Sequence, residues 1–108
     1  MLATYREFLK MLTVDQLNKL MDELNKGELC RRHFYTLGNG LQILRGCAFA
    51  APFIGENFQA YCMNTLPMIQ QRVGHDEFWK CITEFDKMPL SESIPLLQEW
   101  TQAELATR

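Results

Sequence analysis

One stretch limits the fold more than any other: LQILRGCAFAAPFIGENFQAYCMNTLPMIQQRV, Leu41 to Val73. From Cys47 to Ile54 it reads CAFAAPFI, with no charge and no strong hydrogen-bonding side chain. Such a run is expected to be buried, because leaving it wet forgoes roughly 25 cal/mol for each Å² of apolar surface. Gly46 and Gly55 bracket it and Pro52 interrupts it. Proline has no amide hydrogen to donate and its ring clashes with the preceding turn, so one straight helix through Pro52 is disfavoured. The pattern predicts a short buried helix, a bend at Ala51–Pro52 and a second element from near Glu56, with the rest of the chain arranged to cover them.

A chain of 108 residues can bury about two-thirds of the surface it exposes when unfolded. It is therefore expected to fold as a single helical domain over residues 1–108, needing neither metal nor disulfide. Only four prolines and six glycines punctuate it, which favours long helices over many short strands. The start MLATYREFLKML is broken by Arg6, Glu7 and Lys10, unlike a secretory leader. No window approaches the ~20 apolar residues of a membrane span. Cys30, Cys47, Cys62 and Cys81 lie within apolar patterns and form no close pairs, so buried, reduced thiols and a cytoplasmic location are expected.

Helical signals recur along the chain. Thr4-Tyr5-Arg6-Glu7 fits a capping box, followed by the face Tyr5, Phe8, Leu9, Leu12. Thr13-Val14-Asp15-Gln16 repeats the box and opens the stripe Val14, Leu17, Leu20, Met21, Leu24, which Asn25-Lys26-Gly27 should stop. These two helices are expected to pack as a short αα unit. Residues 28–44 read either as helix–turn–helix or as a β-hairpin around Gly38-Asn39-Gly40. The helical reading is favoured, because a lone hairpin is marginal in water and no other strand candidate exists to extend it. Asn64 or Thr65 should cap a helix with Pro67 near its start, ending at Val73-Gly74. His75-Asp76-Glu77 opens the clearest helix, with Phe78, Cys81, Ile82, Phe85 and Met88 on one side and Met88-Pro89-Leu90 as its stop. Ser91 or Ser93 should cap a last helix with Pro95 in its first turn and Ile94, Leu97 and Trp100 on its face, and Leu105–Arg108 should fray. The sum is an all-α bundle of five or six helices around the bend at Pro52.

Most chemistries lack their parts. Cys30-x-x-His33 has the spacing of half a zinc site, but His75 and Cys81 do not complete it, since Cys81 falls on the apolar face of its helix. Neither a metal nor any other cofactor is expected. His75-Asp76-Glu77 resembles a catalytic run, yet adjacent residues on a helix point in different directions, and acids in a first turn offset the macrodipole. Phosphate loop, dinucleotide fingerprint and nucleophile elbow are all missing from the sequence. The chain reads as non-catalytic.

Charge is distributed unevenly. Residues 1–45 carry net +2 and residues 76–104 net −5, an asymmetry that can steer a partner. Trp79 lies beside the core stripe of the acidic helix, where a tryptophan either anchors an interface or covers the core against a neighbour. The primary expectation is a small protein-binding domain that regulates, adapts or inhibits a larger assembly, as many accessory proteins of mobile elements do. Its contact residues would be Trp79, Asp76, Glu77, Glu84 and Asp86. Met11, Met21, Met63, Met68 and Met88 would fill core gaps or lend an adaptable surface. A second copy of the chain is an admissible partner; a membrane is not. The alternative is a helical DNA- or RNA-binding regulator using Lys26, Arg31, Arg32 and Arg45.

Overall fold

A computed structural model describes residues 2–26, 49, 52 and 60–108. Every regular element among these residues is helical. Five α-helices follow in order: α1 (Leu2–Lys10), α2 (Val14–Asn25), α3 (Leu66–Val73), α4 (His75–Lys87) and α5 (Leu90–Ala106). A π-helical turn, Tyr61–Thr65, leads directly into α3. The all-α class is as the sequence predicts. The bend at Ala51–Pro52 and the whole of residues 28–44 lie outside the described residues, although Phe49 and Pro52 themselves are buried.

Three of the predicted helix starts differ from what the spacing suggested, the first two at Thr4 and Pro67. Thr4 is not a cap, since α1 already runs from Leu2 and Thr4 is only 6% exposed inside it. At Pro67 the chain does not restart through a side-chain cap. Thr65 has αR backbone and makes no capping bond, and the wider π turn carries the chain into α3. A proline ring presses on the carbonyl four residues back, and a π turn relieves that crowding by spacing the carbonyls further apart.

By contrast, α2 starts as read. The Gln16 amide donates to Thr13 Oγ1 at 3.2 Å and the Thr13 amide to Gln16 Oε1 at 3.0 Å, the reciprocal pair of a capping box. Leu17, Leu20 and Leu24 are fully buried, whereas Val14 at the head of that stripe is 47% exposed, because it precedes the turn where the helix meets its neighbour.

The final helix departs furthest from expectation. Ser91 and Ser93 do not cap it; Pro89 is its N-cap and accepts the amides of Glu92 and Ser93 at 2.9 and 3.0 Å. Pro95 lies in the second turn, where it has no amide hydrogen to donate to the carbonyl of exposed Ser91. The C-terminal end does not fray. Arg108 donates from Nη1 to the Leu12 carbonyl at 2.9 Å and from Nη2 to the Leu9 carbonyl at 3.1 Å, while its Nε meets Glu104 Oε1 at 3.1 Å.

Both α1 and α2 pack chiefly on α5 and not on each other, so the expected αα unit is not formed. Gln98 of α5 donates to the Leu24 carbonyl at 3.3 Å and to Asn25 Oδ1 at 3.2 Å. Gln98 therefore closes the end of α2, and Arg108, about 15 Å further along α5, closes the end of α1. That order requires α2 and α5 to run antiparallel. α1 also lies against α3 and α4. Between them sits an aromatic centre: Tyr5 with Phe8, Phe49, Phe85 and Trp100 at centroid distances of 5.7–6.0 Å, and Phe49 edge-on to Phe8 at 5.0 Å. Such pairs add about 0.5–1.5 kcal/mol each beyond the area they bury. The radius of gyration, 12.6 Å, matches the ~13 Å of a compact chain this long.

Candidate functional site

The outer side of α4 follows from how its inner side is used. Phe78, Cys81 and Ile82 are 1% exposed and Phe85 6%, so they fix the rotation of the helix. Met88, the last residue of the predicted stripe, is half-buried. Burial pushes the Cys81 thiol up to about 12, the negative charges of Glu84 and Glu77 acting in the same direction. A thiol held in its protonated form packs here as a small apolar group.

Gly74 sets where α4 begins. Its φ of 92° lies where L side chains are strained, and its carbonyl accepts the Phe78 amide at 2.9 Å. No side chain caps this N-terminus. Instead Asp76 and Glu77, both exposed, supply negative charge to the first turn. His75 Nδ1 is hydrogen-bonded to Gln70 Nε2 of α3.

The predicted contact residues fall on two flanks. With roughly 100° per residue, Asp76 is about 60° from Trp79, whereas Glu77 and Glu84 are about 160° and 140° from it, across the helix. Trp79 is half-buried: it packs on the core, meets Phe78 edge-on at 5.4 Å and approaches His75 at 6.4 Å. Thr83 donates to its carbonyl at 2.8 Å. Exposed Lys80 and Lys87 lie on the outer arc between the two flanks. Glu84 is half-buried, and of Asp86 the structure describes only the backbone, in the last turn of α4. Sequence spacing missed this division because it placed acids near Trp79 in the chain and not around the helix.

Glu77 opens onto a cleft that sequence reading did not find. The cleft holds about 250 Å³ and is lined by Ala3, Thr4 and Glu7 of α1, Arg72 and Val73 of α3, and Glu77. Glu7 lies between two cations, Lys10 Nζ at 3.3 Å and Arg72 Nε at 3.6 Å. No sequence signal pointed here, since the walls come from helices about 70 residues apart.

Among the methionines, Met63 and Met68 are 68% and 52% exposed, while Met11 and Met21 pack against the core. Of the alternative basic set, Lys26 is exposed at the end of α2 and paired with Glu23 at 3.2 Å; Arg31, Arg32 and Arg45 lie outside the described residues. Cys30 and His33 lie outside them too. Among the described residues no three His, Cys, Asp or Glu side chains are grouped so as to hold a metal ion, and no helix is long and apolar enough to cross a membrane. Compared with protein-family models, curated proteins and solved structures, the chain matches none.

Proposed function

We propose that this chain is a small, non-catalytic protein-binding domain of the cytoplasm that regulates, adapts or inhibits a larger assembly, with α4 as its docking element. One observation carries the reading: Trp79 stands half out of the core at the margin of a surface whose first turn is exposed and acidic. A large, rigid ring in that position supplies contact area at low entropic cost, while carboxylates on the same element steer the encounter. The division of acids over two flanks is compatible with both roles. A contact needs one flank, whereas steering acts across the ~8 Å of a Debye length, most of a helix diameter.

The test begins with capture of the partner from host extract by the full chain and its identification by mass spectrometry. Binding kinetics then separate the roles. Trp79→Ala should act mainly on the off-rate, and Glu84→Lys mainly on the on-rate at low salt, fading as salt rises. If Trp79→Ala melts several degrees lower yet binds normally per folded molecule, Trp79 only covers the core and the docking element lies elsewhere.

A further inference from the structure

His75 brings a titratable ring to the Trp79 flank of α4, and its consequence for docking rests on the reading that α4 docks a protein there. It is the first residue of α4 and follows Gly74, whose φ of 92° turns the chain out of α3. That turn sets the imidazole between two side chains. Its Nδ1 is hydrogen-bonded to Gln70 Nε2 of α3, and its ring lies 6.4 Å from that of Trp79 at 61°. With the Gln70 amide nitrogen as donor, Nδ1 accepts, so the bond belongs to the neutral ring with its proton on Nε2. A proton on Nδ1 ends that arrangement. Both ring nitrogens then donate, and Gln70 keeps the contact only by turning its amide so that Oε1 accepts. The same proton sets a positive charge beside the indole of Trp79, whose ring attracts cations.

Among the described residues, few other charges bear on this ring. On α4 itself Asp76 is next in the chain and exposed, whereas Glu77 and Lys80 stand about 160° and 140° around the helix from His75. Arg72, the one charged residue of α3, meets Glu7 of α1 at 3.6 Å in the cleft onto which Glu77 opens. The other charges of α1 are Arg6 and Lys10, the latter paired with Glu7 at 3.3 Å. We infer that His75 is a proton-operated switch on the docking surface. One proton, taken up in the range between pH 8 and 5 where imidazoles titrate, turns the Gln70 amide and charges the flank of Trp79. Because the carboxylates of α4 steer the partner, that added positive charge opposes them, and acid weakens the complex.

The experiment titrates the full chain, labelled with nitrogen-15, by NMR between pH 8 and 5 with no partner added. The expected result is that the His75 ring nitrogens, the Gln70 side-chain amide and the Trp79 indole move with one midpoint, while the Trp100 indole does not follow. His75→Gln should abolish the shifts at Gln70 and Trp79, and Asp76→Asn should retain them. A Gln70 amide that stays still while His75 titrates, a Trp79 shift that survives His75→Gln, or one lost in Asp76→Asn would each overturn the inference. Movement of Trp100 in step would do the same, since the change would then be global. The consequence for docking is read on the captured partner. On acidification from pH 7.5 to 5.5 its dissociation constant should rise about threefold more with wild type than with His75→Gln, the worth of one exposed charge. An equal rise with both overturns the regulation. Failure of the docking reading shows separately, as normal binding by Trp79→Ala.

Discussion

Helices α2 and α4 are of similar length and bury similar apolar stripes, yet they finish their ends in opposite ways. α2 is closed at both: Thr13 and Gln16 satisfy its first amides, and Gln98 of α5 takes up the carbonyl of Leu24. α4 has no side-chain cap at its start, where Asp76 and Glu77 are exposed. Local sequence spends its polar residues on stability in one helix and leaves them available in the other. Surface kept open at a helix end is surface a partner can use.

The comparison is sharpest where the two helices ought to agree. On the core side, Phe85→Ala in α4 should cost about 3–5 kcal/mol and Leu20→Ala in α2 about 2–5 kcal/mol, because both empty a packed interior. Chemical denaturation measures both, and a loss below about 1 kcal/mol at Phe85 would break the equivalence. The next largest effect belongs to α4 alone. Cys81 lends stability that is fully present below the ordinary thiol value of 9.0 and drains away as pH climbs toward about 12, since the unfolded chain releases that proton first. Denaturation midpoints across this range should fall, and peptide mapping should find Cys81 unmodified by a thiol reagent in native protein at pH 8. A third difference lies at the helix starts. Thr13→Ala should cost about 1 kcal/mol, the worth of an N-cap bond. Asp76→Asn should cost no more than a few tenths, the worth of an exposed first-turn charge. Were Asp76 to prove as costly as Thr13, the start of α4 would be structural after all and its availability to a partner would be lost.

What could be read beforehand divides along the same line. The capping box at Thr13, the stripe from Phe78 to Phe85 and the stop at Met88-Pro89 are local patterns of two to eight residues, and each is found in place. Thr4, Ser91 and Ser93 carried the right residue type for a cap but are helical, because composition cannot say which of several candidates stands at the boundary. Gln98 and Arg108 gave no signal at all. Their acceptors are backbone carbonyls 74 to 99 residues away, and any residue there would have offered the same oxygen. The cleft was hidden for the same reason: its walls come from α1, α3 and α4 and meet only in the fold. Trp79 was legible as a residue between two roles, and half-burial keeps it between them.

The bonds from Arg108 to Leu9 and Leu12 also have a kinetic meaning. They join points 99 and 96 residues apart, so they can form only after almost the whole chain has been drawn together. A contact absent from the folding transition state acts on the escape from the native state, and bonds that span so much of the chain are expected to be of that kind. Arg108→Ala should therefore leave the refolding rate nearly unchanged and speed unfolding severalfold, the two carbonyls losing a charged donor. In a chevron plot only the unfolding arm would move. Arg108 would then set how long each molecule stays folded without setting how quickly it folds.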